Sequence, residues 1–296
     1  MTGLGLGTFG LWSGQLGLLD AGTARTTVRH LEQIGFTTVW INESFAKEAL
    51  SHAAFLLDWT TNITVATGIA SIWARDPVTA SNGARTLLDA HPGRFVLGVG
   101  ASHGPIVAKR GHAYTRPLEQ TRAYLEAMNT APHQGAIRAT AAPPVLVGAL
   151  GPRMLELARD LSDGAHPYLV PVEHTRRARA ILGPHRTLAP EQAIVFDPDA
   201  VRARRHGREH LAYYLELPNY VRNLRRLGWN DEDLRDGGSD ALIDALIAWG
   251  EPERIATLVA EHLEAGADHV ALQVLTDTPD ELFDPQLEHL AARLLT

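Results

Sequence analysis

The chain has no cysteine, which excludes disulfide bridges and thiolate chemistry. It has no run near the roughly 18 uninterrupted apolar residues that a membrane-spanning helix needs. Its first residues, Met1-Thr2-Gly3-Leu4-Gly5-Leu6-Gly7, carry no basic segment and no signal-like apolar stretch, so the cytoplasm is the expected compartment. Positive charge is not in excess: 27 Lys and Arg stand against 34 Asp and Glu, and a net charge of −7 argues against a general nucleic-acid surface. No H-E-x-x-H is present, and no G-x-G-x-x-G turn leads from the first strand into a helix. Clustered carboxylates are missing where strands end, since only Glu43 lies there. A two-carboxylate mechanism needs two acids facing one gap, so a glycosidase-type site fits poorly.

What is present is a core. Apolar residues make up 45% of 296 and charged residues 21%, the balance of a globular protein near the upper size of one barrel domain. Residues 95–99 form a short apolar strand that runs into Gly100, Ala101 and Ser102. Such small residues let another molecule approach the backbone. His103 follows as the first group able to move a proton.

The same arrangement recurs along the chain. Period and composition predict strands at 4–9, 37–41, 63–69, 145–147, 164–170, 193–196 and 269–275. Helices are predicted between them, at 22–34, 46–59, 77–90, 116–128, 152–162, 173–182, 199–217, 240–248, 252–265 and 285–295. Asp76 and Asp199 stand at N-cap positions, and Gly35 and Gly266 at helix stops. The stretches 30–39 and 262–270 echo each other as helix, glycine, strand, through either a shared turn solution or a repeat. Residues 218–239 are polar, contain Gly237-Gly238 and read as an irregular excursion. The expected fold is an α/β (β/α)8 TIM barrel in one domain, 1–296, with an insertion at 218–240 before the last strand. A doubly wound open sheet is disfavoured by the missing glycine turn.

In a barrel the chemistry gathers at the C-terminal strand ends. Those ends are rich here in glycine, small residues and aromatics, which suits a flat cofactor held by backbone groups and apolar faces. His103 and His166 both fall in strand-end loops, where a hydrogen-bonded structural role and a functional role are both open. His206 and His210 are four apart on a helix beside Arg205 and Arg208. A solvated helix face is the favoured reading there over a metal pair, and no metal site is assigned.

Four stretches together carry a family resemblance. Gly93-Arg94-Phe95-Val96-Leu97-Gly98-Val99-Gly100 resembles the strand-four signature of the bacterial luciferase-like flavin and deazaflavin oxidoreductases. Val39-Trp40-Ile41-Asn42-Glu43-Ser44 is similar to their second strand end. Ala66-Thr67-Gly68-Ile69 with Ala74-Arg75-Asp76-Pro77 resembles the third strand and the following helix start. The run 144–152 resembles the fifth. Ser102-His103, the run 164–168 and Leu217-Pro218-Asn219-Tyr220 are similar to the branch assigned to coenzyme F420.

The resemblance implies a TIM barrel with an insertion, usually a homodimer, with the ring system in the barrel mouth. It implies hydride transfer between the deazaflavin C5 and an unidentified small organic substrate. FMN, with monooxygenase chemistry, is the alternative. It implies a non-prolyl cis peptide at Gly68–Ile69, behind the ring. The implied cofactor contacts are Glu43, Gly68, Ile69, Gly100, Ala101, Ser102 and His103, then Gly148, Ala149, Leu150 and Gly151, then His166, Pro167 and Tyr168. His103 and Glu43 are the implied catalytic residues. An ordinary imidazole pKa of about 6.5 would suit His103 to proton transfer. Backbone N–H groups at 148–151 would meet the cofactor phosphate, and Arg75, Lys109, Arg110, Arg176 and Arg177 are the candidate cations for its tail. Ser44 and His103 stand where sugar-phosphate dehydrogenase relatives carry a histidine and a glutamate, so a sugar-phosphate substrate is not expected.

Overall fold

A computed structural model describes residues 4–134, 142–276 and 285–295. The first three residues, part of the targeting argument, and the ends of the 1–296 domain span lie outside the described residues. Strand β1 (Phe9–Trp12) leads through helix α1 (Ala21–Gln33) to β2 (Thr38–Ile41), and α2 (Ala49–Trp59) leads to β3 (Thr64–Thr67). A short β4 (Ala70–Ser71), α3 (Pro77–Ala90), β5 (Phe95–Gly100), α4 (Gly104–Lys109) and α5 (Pro117–Asn129) follow. Then come β6 (Val145–Val147), α6 (Pro152–Leu161), β7 (Gly164–Ala165), α7 (Val172–Leu182), β8 (Thr187–Leu188) and β9 (Glu191–Val195). The C-terminal part is α8 (Ala200–Leu215), α9 (Pro218–Leu227), α10 (Asp240–Leu246), β10 (Ile247–Trp249), α11 (Pro252–Glu264), β11 (Val270–Val274) and α12 (Pro285–Leu294).

The helices start where the sequence supplies acceptors. Asp20, Glu48, Asp76, Asp199 and Ser239 each accept from backbone N–H groups of the first turn, filling donors that the helix itself leaves unpaired. Gly35 and Gly266 close α1 and α11 with φ of +103° and +101°, the left-handed geometry a helix stop needs.

Ten strands follow one another in the order β10, β9, β11, β1, β2, β3, β5, β6, β7, β8, with β4 added beside β5. Every pairing is parallel. The sheet curls because the stretch from β8 to β9 is tied on both flanks. Ala189 N–H donates to Ala165 O beside β7, and Ala271 N–H donates to Pro190 O from β11. The result is an α/β fold around a curled parallel sheet. Its strands are buried on both faces, as helix-covered parallel strands must be.

Five expectations change in register or type. The first strand begins at Phe9 rather than at residue 4, since Gly5 and Gly7 take φ of +67° and +69°, outside strand geometry. The third stops at Thr67, a cis peptide joins Gly68 to Ile69, and pairing resumes in β4. The strand expected at 164–170 ends at Ala165: Pro167 has no N–H for a ladder, and Leu169 has φ of +55°. The helix expected at 240–248 ends at Leu246, and Ile247–Trp249 pairs with β9. The stretch 218–239 is not irregular throughout, because Pro218 opens α9 and Tyr220, Asn223 and Leu224 bury one face of it.

Candidate active site

A cavity of about 590 Å³ opens at the C-terminal ends of β1 to β7 and is roofed by the end of α8 and the start of α9. That volume lies within the usual range for small-molecule sites, about 300–1,000 Å³. Thirteen of the fourteen residues singled out from sequence line it: Glu43, then Gly68 and Ile69, then 100–103, then 148–151, then His166 and Tyr168. Pro167 does not; its carbonyl instead accepts from Glu191 N–H at 2.8 Å and ties β7 to β9.

The glycines serve a different neighbour from the one expected. A Cβ on Gly100 would lie 3.0 Å from Ile69 Cγ1, and one on Gly148 would lie 3.2 Å from Ile69 Cγ2. A side chain at Gly68 would start 2.7 Å from Trp12 Nε1 and 2.8 Å from His166 Nε2. These positions admit side chains of adjoining strands, which in turn form the cavity wall.

The floor is a fixed set of aromatic rings. Trp12 Nε1–H donates to Gly68 O at 3.0 Å. His166 is 1% exposed and donates from Nδ1 to Ala189 O at 2.7 Å. A carbonyl can only accept, so the proton sits on Nδ1 and Nε2 is left as an acceptor. That Nε2 is buried and has no partner in the protein. Burial pushes the His166 pKa down to about 4, so the ring is neutral near pH 7.

Glu43 lies 7% exposed in the wall and is fully engaged. It forms a two-pronged pair with Arg75, one arm of which, Arg75 Nη1 to Oε2, is 3.0 Å. It also accepts from Ser71 N–H at 2.8 Å and Ala49 N–H at 3.3 Å. With both oxygens occupied, Glu43 holds β4, the start of α2 and Arg75 together.

His103 stands at the mouth of β5, as the residue before α4. Its ring packs against Tyr220 and Tyr214, at centroid distances of 5.6 and 6.4 Å. Nδ1 is buried and unpartnered. Desolvation lowers its pKa to about 4, so the ordinary value expected from sequence does not hold and the imidazole is neutral near pH 7.

Sequence reasoning missed much of the roof. Tyr114, Tyr213, Tyr214 and Tyr220 line the cavity, as does Trp12. Tyr214 O–H donates to the Tyr168 hydroxyl at 3.1 Å, and Tyr168 O–H donates to Gln273 Oε1 at 2.8 Å. His210 packs its ring 5.2 Å from that of Tyr214 rather than facing solvent, and burial lowers its pKa to about 4. Tyr220, Leu224 and Leu227, at i, i+4 and i+7 along α9, were the signal that this stretch packs inward. Behind Tyr168, Glu191 is fully buried, accepts from Leu169 N–H at 2.8 Å, and has its pKa pushed up to about 8 by burial.

None of the five cations expected to hold an anionic tail lines the cavity. Arg75 is paired with Glu43 and Glu48. Lys109 and Arg110 lie over the Phe45 ring, at 5.6 and 5.7 Å, and Arg176 and Arg177 pair with Glu173. Arg222 stands at the rim instead, and the Arg226 guanidinium lies beside Gly151 at the start of α6.

A curled parallel sheet with an aromatic-lined cavity at its strand ends defines a parallel α/β protein with a pocket of small-molecule size. The chain belongs to the luciferase-like monooxygenase family, whose profile matches residues 6–269. It is 24% identical over 282 residues to a 5,10-methylenetetrahydromethanopterin reductase of Methanolobus tindarius, covering 81% of this chain and 86% of that one. Among solved structures it resembles the coenzyme F420-dependent tetrahydromethanopterin reductase of Methanopyrus kandleri. The TM-score is 0.77 at 16% identity, over 98% of this chain and 99% of that one. An F420-dependent secondary alcohol dehydrogenase in complex with an F420-acetone adduct matches with a TM-score of 0.76 at 15% identity, over 97% and 99%. At these identities the structural likeness establishes the shared fold.

Proposed function

We propose that the protein is a coenzyme F420-dependent oxidoreductase acting on a small organic substrate. The observation that carries this reading is the bare Nε2 of His166, a fixed acceptor in the wall of a cavity of about 590 Å³. The pyrimidine edge of a deazaflavin carries an N–H that such a nitrogen accepts. The F420-dependent relatives support the choice of cofactor. When bound, the deazaflavin supplies a two-electron hydride carrier at C5.

The chain's own residues orient and shield. His166 anchors one ring edge, Ile69 presents its side chain from the strand-three bulge, and Trp12 closes the floor. Backbone N–H groups of 149–151 and the Arg226 guanidinium beside Gly151 would meet the anionic end, while the Gly148 N–H is spent on Val99 O at 2.8 Å. Neutral His103 would offer its N–H to the substrate oxygen and stabilise the negative charge that develops there. Tyr214 and Tyr220 keep water from that oxygen. Glu43, tied to Arg75, keeps the wall in place. The same reading takes the sheet as a (β/α)8 barrel in one domain, with 218–240 as its insertion. It also makes the protein a cytoplasmic homodimer.

Titration of the purified protein with F420 and with FMN, followed by cofactor fluorescence, tests the reading. Saturable binding of F420 with weak binding of FMN is expected. Preference for FMN together with oxygen consumption would replace the proposal with a flavin monooxygenase. Binding of neither would reject both.

A further inference from the structure

We infer that Glu191, which lies outside the cavity, is a positioning residue for it: its carboxyl fixes the segment from which His166 and Tyr168 enter the wall. The inference rests on reading the cavity as a cofactor site and names what holds its anchoring edge. Geometry is the first argument. Residues 189–191, where the chain enters β9, bond to 165–169 at four points. Ala189 N–H donates to Ala165 O at 2.9 Å, and Glu191 N–H donates to Pro167 O at 2.8 Å. His166 Nδ1 donates to Ala189 O at 2.7 Å. The fourth bond comes from the Glu191 side chain, whose Oε2 accepts from Leu169 N–H at 2.8 Å. Leu169 needs such a tie, because its φ of +55° is a conformation that L-residues avoid. Tyr168 is thereby clamped between bonds at Pro167 and Leu169, with its hydroxyl on Gln273 Oε1 at 2.8 Å.

Charge is the second argument. Glu191 is 0% exposed and its Oε1 has no partner. Among the described residues no arginine, lysine or histidine pairs with it, and burial raises its pKa to about 8, so the protonated form serves near pH 7. The titratable groups that sense a charge there are Tyr168, Tyr214 on α8 and Tyr220 on α9, while β11 faces it with Ala271. Beside the neutral acid, Tyr214 donates to Tyr168 and Tyr168 donates to Gln273. A carboxylate would need donors for its bare oxygen, and these hydroxyls are what it would recruit. Ionisation therefore draws Tyr168 off Gln273 and loosens the wall.

The test uses the whole protein, isotope-labelled at tyrosine Cζ and at the histidine ring nitrogens. Tyr168→Phe and His166→Phe assign the two NMR signals of interest. In the wild type both are expected to titrate together with a midpoint near pH 8. Glu191→Gln keeps an acceptor for Leu169 N–H and cannot ionise. Its signals should match the wild type at about pH 6.5 and stay level to about pH 9, with F420 affinity within about twofold. Glu191→Leu keeps the bulk and removes the acceptor, so both signals should shift at every pH and F420 affinity should fall at least about tenfold. Level wild-type signals, Glu191→Gln signals that titrate, Glu191→Leu signals at wild-type positions, or undiminished F420 affinity in Glu191→Leu each overturn the inference. If Glu191→Leu does not fold, the comparison of wild type with Glu191→Gln decides. If the wild type fails to bind F420 while the signals behave as expected, the cofactor assignment falls and the role of Glu191 stands.

Discussion

Trp40 and His166 lie face to face, their ring centroids 4.2 Å apart and their planes 13° from parallel. Each ring is fixed by a group far away in sequence. Trp40 Nε1–H donates to His269 Nε2 at 2.9 Å, and His269 donates from Nδ1 to Gly7 O at 2.9 Å. His166 donates to Ala189 O. The carbonyls of residues 7 and 189 therefore set both tautomers, and they leave His166 Nε2 as a buried acceptor with no partner in the protein.

His269→Phe leaves the Trp40 indole N–H buried without a partner. The expected cost is about 1–3 kcal/mol, measured by denaturant unfolding. His166→Phe keeps a flat ring on Trp40 but removes the acceptor. Its stability should change less, while F420 affinity falls by about tenfold, the worth of one hydrogen bond near 1.4 kcal/mol. Unchanged affinity would remove His166 from the cofactor site.

The Glu43–Arg75 pair makes a different prediction. The side chains are 3% and 8% exposed, so breaking the pair strands a charge in the wall. Glu43→Gln or Arg75→Met should each cost about 3–5 kcal/mol. The double variant removes both charges and should cost clearly less than the sum. Strict additivity in the unfolding free energies would mean the two groups do not act as a pair.

Acid sensitivity follows from the buried imidazoles. His52, His103, His166, His210, His262 and His269 are each lowered to about 4 by burial. In the unfolded chain they titrate near 6.5, so between about pH 4 and 6.5 the unfolded state binds more protons and stability falls as pH drops. Each histidine contributes at most about 1.4 kcal/mol per pH unit in that window. Glu191 acts in the opposite direction. Its carboxyl is raised to about 8, so the folded state holds an extra proton from about 4.5 upward and stability declines as pH rises toward 8. Unfolding followed across this range should show a maximum near pH 6.5–7. Glu191→Gln should flatten the alkaline limb and leave the acid limb in place.

Much of this arrangement was legible in the chain, and the reasons are local. Asp76 followed by Pro77 announces a helix start, and Phe95 to Val99 announces a buried strand, because capping and apolar runs act over a few residues. The loops bearing His103, His166 and Glu43 were found the same way, by their place after strands. The pairings were not legible. Nothing near Glu43 in sequence marks Arg75, 32 residues on, as its partner. Nothing near His166 marks Trp40 or Ala189. Residues 218–227 were hidden for another reason: their polar composition masked a buried helical face, Tyr220, Asn223 and Leu224, one member of which is itself polar. The glycines were seen, but a glycine reports only that something is close and not what it is.

If neutral His103 stabilises the charge that develops on the substrate oxygen, His103→Phe should lower kcat by about 10²–10³ while F420 affinity stays within about twofold. The wild-type rate should be level from about pH 5 to 8 and fall only as pH approaches 4, where the ring becomes charged. A kcat that titrates near 6.5 would show an imidazole in water rather than in this wall.

Gly98 and Gly100 lie two residues apart on β5 and should respond differently to the same methyl group. A Cβ on Gly98 would sit 1.8 Å from the backbone oxygen of Thr67. No side-chain motion relieves that contact, so Gly98→Ala must part β3 from β5 and should abolish soluble expression. At Gly100 the obstacle is the Ile69 side chain, 3.0 Å away at Cγ1. Gly100→Ala should fold, with a loss of about 1–3 kcal/mol from overpacking, and should weaken cofactor binding as Ile69 is pushed into the cavity. Adding Ile69→Ala removes the colliding atom, so the double variant should recover stability relative to Gly100→Ala. A double-mutant cycle with no coupling between positions 69 and 100 would show that the glycine is there for some contact other than Ile69.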